Sequence, residues 1–159
     1  MKRRLKVAKN AKEDKKMFAY QLSIFAENKS GKLAKVTGVL AKEKINIRAT
    51  TIATADTFGI INLIVDDPKR AEKALSGAGM TVHLREVLAV LIPDVPGGLD
   101  KLMQLLYEEG ININNAYGFV LESSKKAVFV VDVDQMRKTE QLLESAGFKT
   151  LDVQSLSAV

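Results

Sequence analysis

Apolar and polar positions along this chain follow two periods, and each change of period marks a predicted element. Leu33, Val36 and Leu40 fall at helical spacing, whereas residues 18–26 carry the pattern of a β-strand. The predicted order is strand 18–26, helix 32–43, strands 45–53 and 58–65, a helix marked by Ala71, Ala74, Leu75 and Ala78, and an extended segment 80–92. This half of the chain therefore predicts the order βαββαβ.

The same order of elements returns in the second half. The corner ENKSGKL at 27–33 reappears as PDVPGGL at 93–99, and INI at 45–47 reappears as INI at 111–113. With an offset of 66 residues, 8 of the 21 positions from 27 to 47 are identical, and the register resumes at offset 68 after a two-residue slip. Self-similarity at a fixed spacing over a whole unit indicates a duplication.

The duplicated unit predicts a fold class. Leu99, Leu102, Met103 and Leu106 form an apolar helical stripe, and such stripes are typical of core packing rather than of cofactor contacts. Two helices on one face of a four-stranded antiparallel sheet form the ferredoxin-like arrangement. We therefore predict an α+β protein with two tandem ferredoxin-like βαββαβ units, 18–84 and 85–159, after a basic flexible tail, 1–17.

Two strand segments are apolar at consecutive positions. VLAVLI at 87–92 and AVFVV at 127–131 lack the alternation of a sheet that is wetted on one side. Both faces are then expected to be covered, either by the other repeat or by another subunit, and we predict a homodimer. The alternative is that these segments are central strands with a few exposed apolar groups.

Composition and charge exclude several classes of protein. Without cysteine there is no disulfide, thiolate nucleophile or cysteine-ligated metal, and no apolar window is long enough to span a membrane. The formal net charge of +5 arises in residues 1–16, where eight Lys/Arg face two Asp/Glu, so the remainder carries 16 Lys/Arg against 17 Asp/Glu. A near-neutral body does not favour nucleic-acid binding. A cytoplasmic protein without a bound cofactor or metal and without membrane contact is expected.

The repeated corner has a chemical meaning of its own. It joins a strand to a helix, so the backbone N–H groups around Gly31 to Leu33 and Gly97 to Leu99 are unpaired first-turn donors suited to a carboxylate. Glycine lets a ligand approach the backbone closely, and Asn28 or Asp94 can hold an ammonium group. Together these groups match a free α-amino acid. The alternative reading is that Asn28 and Asp94 are turn or N-cap residues and that the glycines only permit the bend.

Taken together, these motifs resemble the ACT domain family of small amino-acid-binding regulatory modules, with two domains in tandem over residues 18–156. The resemblance implies a regulatory sensor rather than an enzyme, and a metabolic enzyme regulated in trans is one partner of this kind of protein. It also implies ligand contacts from both corners, from the INI asparagine of a neighbouring domain and from the segment AYGFV. The implied residues are Asn28, Lys29, Ser30, Gly31, Lys32, Leu33, Asn46, Asp94, Val95, Pro96, Gly97, Gly98, Leu99, Asn112 and Tyr117. Ser30, where the family usually has proline, and Asp132, a charge in a predicted strand, depart from the pattern.

The sequence supports two other functions, an enzyme and an RNA-binding protein, less well. An enzyme is not favoured, because His83, the one histidine, lies in an extended apolar run that favours a structural role. The sequence also has no dinucleotide-binding, Walker-type or nucleophile-elbow pattern. An RRM-like RNA-binding protein shares the strand and helix order, and YGFV at 117–120 is similar to its aromatic stacking motif. The repeat register places YGFV on a second strand and not on a third. The sequence therefore favours an amino-acid sensor over an RNA-binding protein.

Overall fold

The fold consists of twelve elements within residues 18–158, which a computed structural model describes. The predicted basic tail at 1–17 lies outside the described residues. The first unit contains β1 (Ala19–Glu27), α1 (Lys32–Lys42), β2 (Ile47–Ala55), β3 (Phe58–Val65), α2 (Pro68–Gly77) and the first part of β4 (Thr81–Pro93). The second contains the remainder of β4, α3 (Gly98–Glu108), β5 (Ile113–Glu122), β6 (Lys126–Val133), α4 (Met136–Ser145), β7 (Lys149–Leu151) and α5 (Val153–Ser157).

Strand β4 belongs to both units. Its residues from Thr81 to Val87 pair antiparallel with β1, and those from Leu88 to Pro93 pair antiparallel with β6. The result is a single seven-stranded sheet in the order β2-β3-β1-β4-β6-β5, with β7 also paired to β4. The predicted α+β class and its two βαββαβ units are confirmed, with one difference: the two sheets share a strand and are continuous. The division of the chain into domains at 84/85 falls inside β4 and stays a prediction.

Each unit buries its own core between two helices and the sheet. Val36 and Leu40 of α1 pack with Leu22 and Ile24 of β1 in the first unit. The equivalent core of the second unit contains Leu102 and Leu106 of α3. Because each fully buried leucine contributes about 1.5–3 kcal/mol, these two cores fix the helices on one face of the sheet.

The opposite face of the sheet is also covered, and the cover comes from the same chain. Val87 and Ala89 of β4 and Val130 of β6 form a third buried cluster with Leu156 of α5. Arg48 of β2 also reaches this terminal helix, donating from Nη2 to the Ser157 carbonyl oxygen at 2.6 Å. The consecutive apolar residues of β4 and β6 thus have buried positions on both faces without a second subunit. The sequence had left open whether the other repeat or another subunit would cover these strands.

Candidate functional site

The two predicted corners have the same backbone geometry. Gly31 precedes α1 with φ 86° and Gly97 precedes α3 with φ 82°, a left-handed conformation that glycine adopts without steric cost. Both are N-cap residues, and neither helix has a side-chain cap. In the described part of the chain, the backbone N–H groups of Leu33 and Leu99 donate to no residue. Each corner therefore presents an unpaired donor at the positive end of a helix.

Asn28 and Asp94 bind the hairpin turn that lies beside each corner. Asn28 donates from Nδ2 to the Asp56 carbonyl oxygen at 3.1 Å, and Asp94 Oδ2 accepts from the Ser124 backbone N–H at 2.7 Å. Asp56 and Ser124 both have positive φ, at 51° and 61°, so these bonds hold two strained turns. Neither Asn28 nor Asp94 is a helix N-cap. Through these hydrogen bonds, each residue connects its corner to the turn between the next two strands.

The charges of the two corners differ. Glu27 forms ion pairs with Lys32 at 3.2 Å and with Lys29 at 3.4 Å. The hydrogen bond from Lys32, followed by that from Lys29, lowers the pKa of the Glu27 carboxyl group below its ordinary value. In the second unit the repeat offset puts Pro93 in place of Glu27 and Gly98 in place of Lys32. The first corner thus carries a net positive charge, whereas the second has the carboxylate of Asp94.

The cavities beside the corners differ in size. The first has a volume of about 100 Å³ and lies between the corner and Ile52, Thr54 and Ile61. The second has a volume of about 340 Å³ and lies between Asp94, Leu99 and the strand residues Gly118 and Val120. Small-molecule sites usually occupy roughly 300–1,000 Å³, so the second corner reaches that range and the first does not.

The second corner also has the tighter backbone. A Cβ atom at Gly98 would lie 2.2 Å from the Pro93 carbonyl oxygen, so any side chain there would force the backbone to shift. At Gly31 and Gly97 a Cβ atom would meet nothing within 4 Å. Ser30, Val95 and Pro96 complete the two turns before these glycines. The space above Gly31 and Gly97 is therefore open to a ligand.

The asparagines of the two INI segments lie away from these corners. Asn46 precedes β2, and its backbone N–H donates to Asp66 Oδ1 at 3.1 Å; Asn112 precedes β5, and its Nδ2 donates to Asn114 Oδ1 at 3.5 Å. Both positions are at the opposite end of the sheet from the corner of their own unit. No hydrogen bond within residues 18–158 joins either asparagine to a corner. A contact from a neighbouring domain, as predicted, stays a prediction.

Tyr117 contacts the first unit instead of a corner. Its hydroxyl group donates to Gln21 Oε1 at 2.8 Å, and burial raises the pKa of this hydroxyl above its ordinary value. Its ring and that of Phe119 pack against the third buried cluster. The two rings of YGFV are therefore occupied in packing, and the segment lies on β5, the second strand of its unit, as the repeat register predicts.

A polar cleft between the units was missed at the level of sequence. Gln21 and Asn62 are only 2% and 6% exposed, although both are polar. Gln21 Nε2 donates to Asn62 Oδ1 at 3.1 Å and to Ser23 Oγ at 3.0 Å. The available signal was Asn62 itself, which interrupts the apolar segment FGIINLIV. His83, expected inside an apolar segment, is exposed and lines this cleft.

Residues 18–158 contain no group of three or more His, Asp or Glu side chains that could hold a metal ion. None of the helices described is long and apolar enough to cross a membrane.

This chain is similar to a protein family and to several solved structures. The family model described as an ACT domain pair matches residues 17–157. The solved structure of protein BT0572 from Bacteroides thetaiotaomicron is 40% identical, with a TM-score of 0.83, and the match covers 90% of this chain and 98% of that chain. A search of curated proteins found no match.

Two more distant solved structures share the fold. The ligand-free regulatory subunit of aspartate kinase from Thermus thermophilus is 19% identical, with a TM-score of 0.62, over 83% of this chain and 95% of that chain. The regulatory subunit of aspartate kinase from Thermus flavus is 18% identical, with a TM-score of 0.58, over 81% of this chain and 90% of that chain.

Proposed function

Because the chain belongs to the ACT domain pair family, we propose that it is a non-catalytic sensor that binds a free L-amino acid and passes the signal to another protein. An ACT domain pair is a regulatory module, and two of the structural relatives are regulatory subunits of aspartate kinase. By analogy, the proposed partner is a metabolic enzyme that this chain regulates in trans. The proposal keeps the cytoplasmic location expected from the sequence.

The observation that carries this proposal is the pair of open corners. The backbone N–H groups of Leu33 and Leu99 lack partners in the described chain and lie at helix N-termini, which favour a carboxylate. The adjacent glycines, Gly31 and Gly97, leave free space on the side that a ligand would occupy. This arrangement suits the carboxylate end of an amino acid.

The second corner is the better candidate for the ammonium end. Asp94 bonds the Ser124 backbone N–H through Oδ2, so Oδ1 is left for a cationic group. At the first corner Asn28 contributes only a neutral amide, although Lys29 and Lys32 can assist a carboxylate. We therefore propose that the second corner, with its larger cavity, binds the amino acid more tightly.

A homodimer belongs to the same proposal. Within one chain Asn46 and Asn112 do not reach a corner, so their predicted ligand contacts require a neighbouring copy. Ile52, Phe58 and Ile60 are 50%, 45% and 44% exposed near the edge of the sheet formed by β2. Exposed apolar groups beside an unpaired strand edge favour association with another chain.

A thermal-shift screen of all twenty free L-amino acids tests the proposal. At a hundred times its dissociation constant, a ligand adds about 2.7 kcal/mol to the free energy of unfolding. We expect at least one amino acid at millimolar concentration to raise the melting temperature. If none does so while an RNA oligomer does, the sensor hypothesis is wrong and the RNA-binding alternative is supported.

A further inference from the structure

The cleft between the two units lies apart from both corners, on the sheet face opposite α1–α4. We call it the inter-unit cleft; its volume is about 650 Å³, and its polar lining is Gln21, Ser23, Asn62, His83, Arg85, Asn114, Asn115 and Asp132. Residues of β1, β3 and β4 form one side, and residues of β5 and β6 form the other. This size is within the range of small-molecule sites.

The floor of the inter-unit cleft is an ordered network of amides. Gln21 uses its whole side-chain amide: Nε2 donates to Ser23 and Asn62, while Oε1 accepts from Tyr117 at 2.8 Å and from Asn115 at 3.5 Å. Polar networks of this kind rigidify a site because each member restrains the next. The floor is therefore preorganised.

One member of this network has an unused donor. Asn62 Oδ1 accepts from Gln21 at 3.1 Å and from Ser23 at 2.8 Å, yet its Nδ2 amino group has no hydrogen-bond partner within the described residues. Asn62 is 94% buried as a residue, but its Nδ2 is not fully enclosed by protein, so this donor faces the cleft. A ligand oxygen in the cleft would supply the missing acceptor.

An ion pair lies at the side of the cleft. Arg85 Nη1 donates to Asp132 Oδ2 at 2.8 Å, and Asp132 has a side chain only 13% exposed, whereas that of Arg85 is 58% exposed. The guanidinium group has five N–H donors, so most remain available to an anion. Asp132 already faces a cation and can accept a further hydrogen bond from a neutral hydroxyl group.

From the unused Asn62 donor, the available Arg85 donors and the neutral amides between them, we propose that the inter-unit cleft binds a small hydroxycarboxylate. Its carboxylate bonds Arg85, and its hydroxyl groups bond the side-chain oxygen of Asn115 and Asp132 Oδ1. One hydroxyl or carboxylate oxygen accepts from Asn62 Nδ2. This site is independent of the amino-acid site proposed at the corners.

Calorimetric titration with D-gluconate and L-malate tests this proposal. The matched comparison compounds are D-mannitol, which has hydroxyl groups without a carboxylate, and succinate, which lacks the hydroxyl group of malate. We expect D-gluconate or L-malate to bind at least tenfold more tightly than its comparison compound. Failure of both hydroxycarboxylates to bind, or equal binding by the comparison compounds, would overturn the proposal.

Variants of this protein test whether the hydroxycarboxylate binds in the inter-unit cleft. Arg85→Met and Asn62→Ala should each weaken the binding of the hydroxycarboxylate at least tenfold, whereas Lys32→Met and Gly97→Val at the corners should leave it unchanged. Arg85 is exposed, so its variant remains informative if Asn62→Ala fails to fold. A loss confined to the corner variants would overturn the cleft site, and amino-acid binding by the Arg85→Met protein would show that the two sites are separate.

Discussion

The hydroxyl group of Tyr117 donates a hydrogen bond to Oε1 of Gln21 at 2.8 Å, which joins the second unit to the first. These residues are 96 positions apart, and Gln21 is only 2% exposed. Removing the donor leaves Gln21 Oε1 with Asn115 alone, at 3.5 Å. The contact therefore bears on the stability of both units together.

Tyr117→Phe should lower the free energy of unfolding by about 1–3 kcal/mol, because a buried acceptor loses its closest partner. Tyr107→Phe is the matched control, since Tyr107 is 79% exposed, and it should change stability by less than about 0.5 kcal/mol. Urea unfolding of both variants measures the difference. Equal stabilities would show that the inter-unit hydrogen bond contributes nothing.

Alanine should have opposite effects at two glycines. Gly98→Ala places a Cβ atom 2.2 Å from the Pro93 carbonyl oxygen and should destabilise the protein by about 1–3 kcal/mol. Gly38→Ala lies in α1 with nothing within 4 Å and should stabilise it by about 0.5–1 kcal/mol. Chemical denaturation measures the change in the free energy of unfolding for each variant. A neutral Gly98→Ala would mean that the second corner is wider than the structure has it.

Asp152 should make stability depend on acid pH. Its Oδ1 accepts from the Ser155 backbone N–H at 2.7 Å at the start of α5, and this bond lowers the pKa of the Asp152 carboxyl group. A carboxyl group whose pKa is lowered in the folded state stabilises the protein at pH values above its unfolded pKa. This stabilisation is lost as pH falls through the folded pKa.

Asp152→Ala should therefore cost about 1 kcal/mol at neutral pH. The difference from the parent protein should begin to shrink below about pH 4, near the unfolded pKa, and should disappear only below the lowered folded pKa, where the carboxyl group is protonated in both states. Asp152→Asn is the control, because it keeps an N-cap acceptor without a charge. A cost that is constant from neutral pH to pH 3 would contradict this assignment.

The two corners should differ in amino-acid affinity. Gly97→Val should reduce the affinity of the amino acid found in the screen by about 1 kcal/mol or more, and by more than Gly31→Val does, because the second corner has the Asp94 carboxylate. Gly147→Val controls for backbone strain, since Gly147 has φ 84° and open space but lies at the end of α4.

Calorimetric titration, after circular dichroism has confirmed folding, compares the three valine variants. The Gly147 variant should bind as the parent does. Undiminished binding by Gly97→Val, beside lost binding by Gly31→Val, would reverse the ranking and assign the ammonium group to Asn28.

The oligomeric state provides a further prediction. Light scattering at micromolar concentration should return about twice the chain mass of 17.4 kDa. Phe58→Ser should shift the mass toward the monomer, because Phe58 is 45% exposed and stacks on Phe25 with ring centroids 5.1 Å apart. Tyr107→Ser is the exposed control. A parent protein of 17.4 kDa would contradict the homodimer.

The sequence by itself determined the duplication and the order of elements. Strand and helix periods are local properties, so β3 was predicted with its observed bounds and α1 to within one residue at its end. The corner glycines were also readable, because a strand that meets a helix needs a turn at Gly31 and Gly97. These features depend on residues close together in the chain.

Only the tertiary structure decided how the two units join. The pairing of β4 with both β1 and β6, the packing of Leu156 of α5 and the contact of Tyr117 with Gln21 all link residues far apart in sequence. Asn28 and Asp94 bind turns 28 and 30 residues away, and no local period reports such a partner. Side chains on β-strands gain their neighbours from the sheet order, and that order is set by the burial of the whole chain.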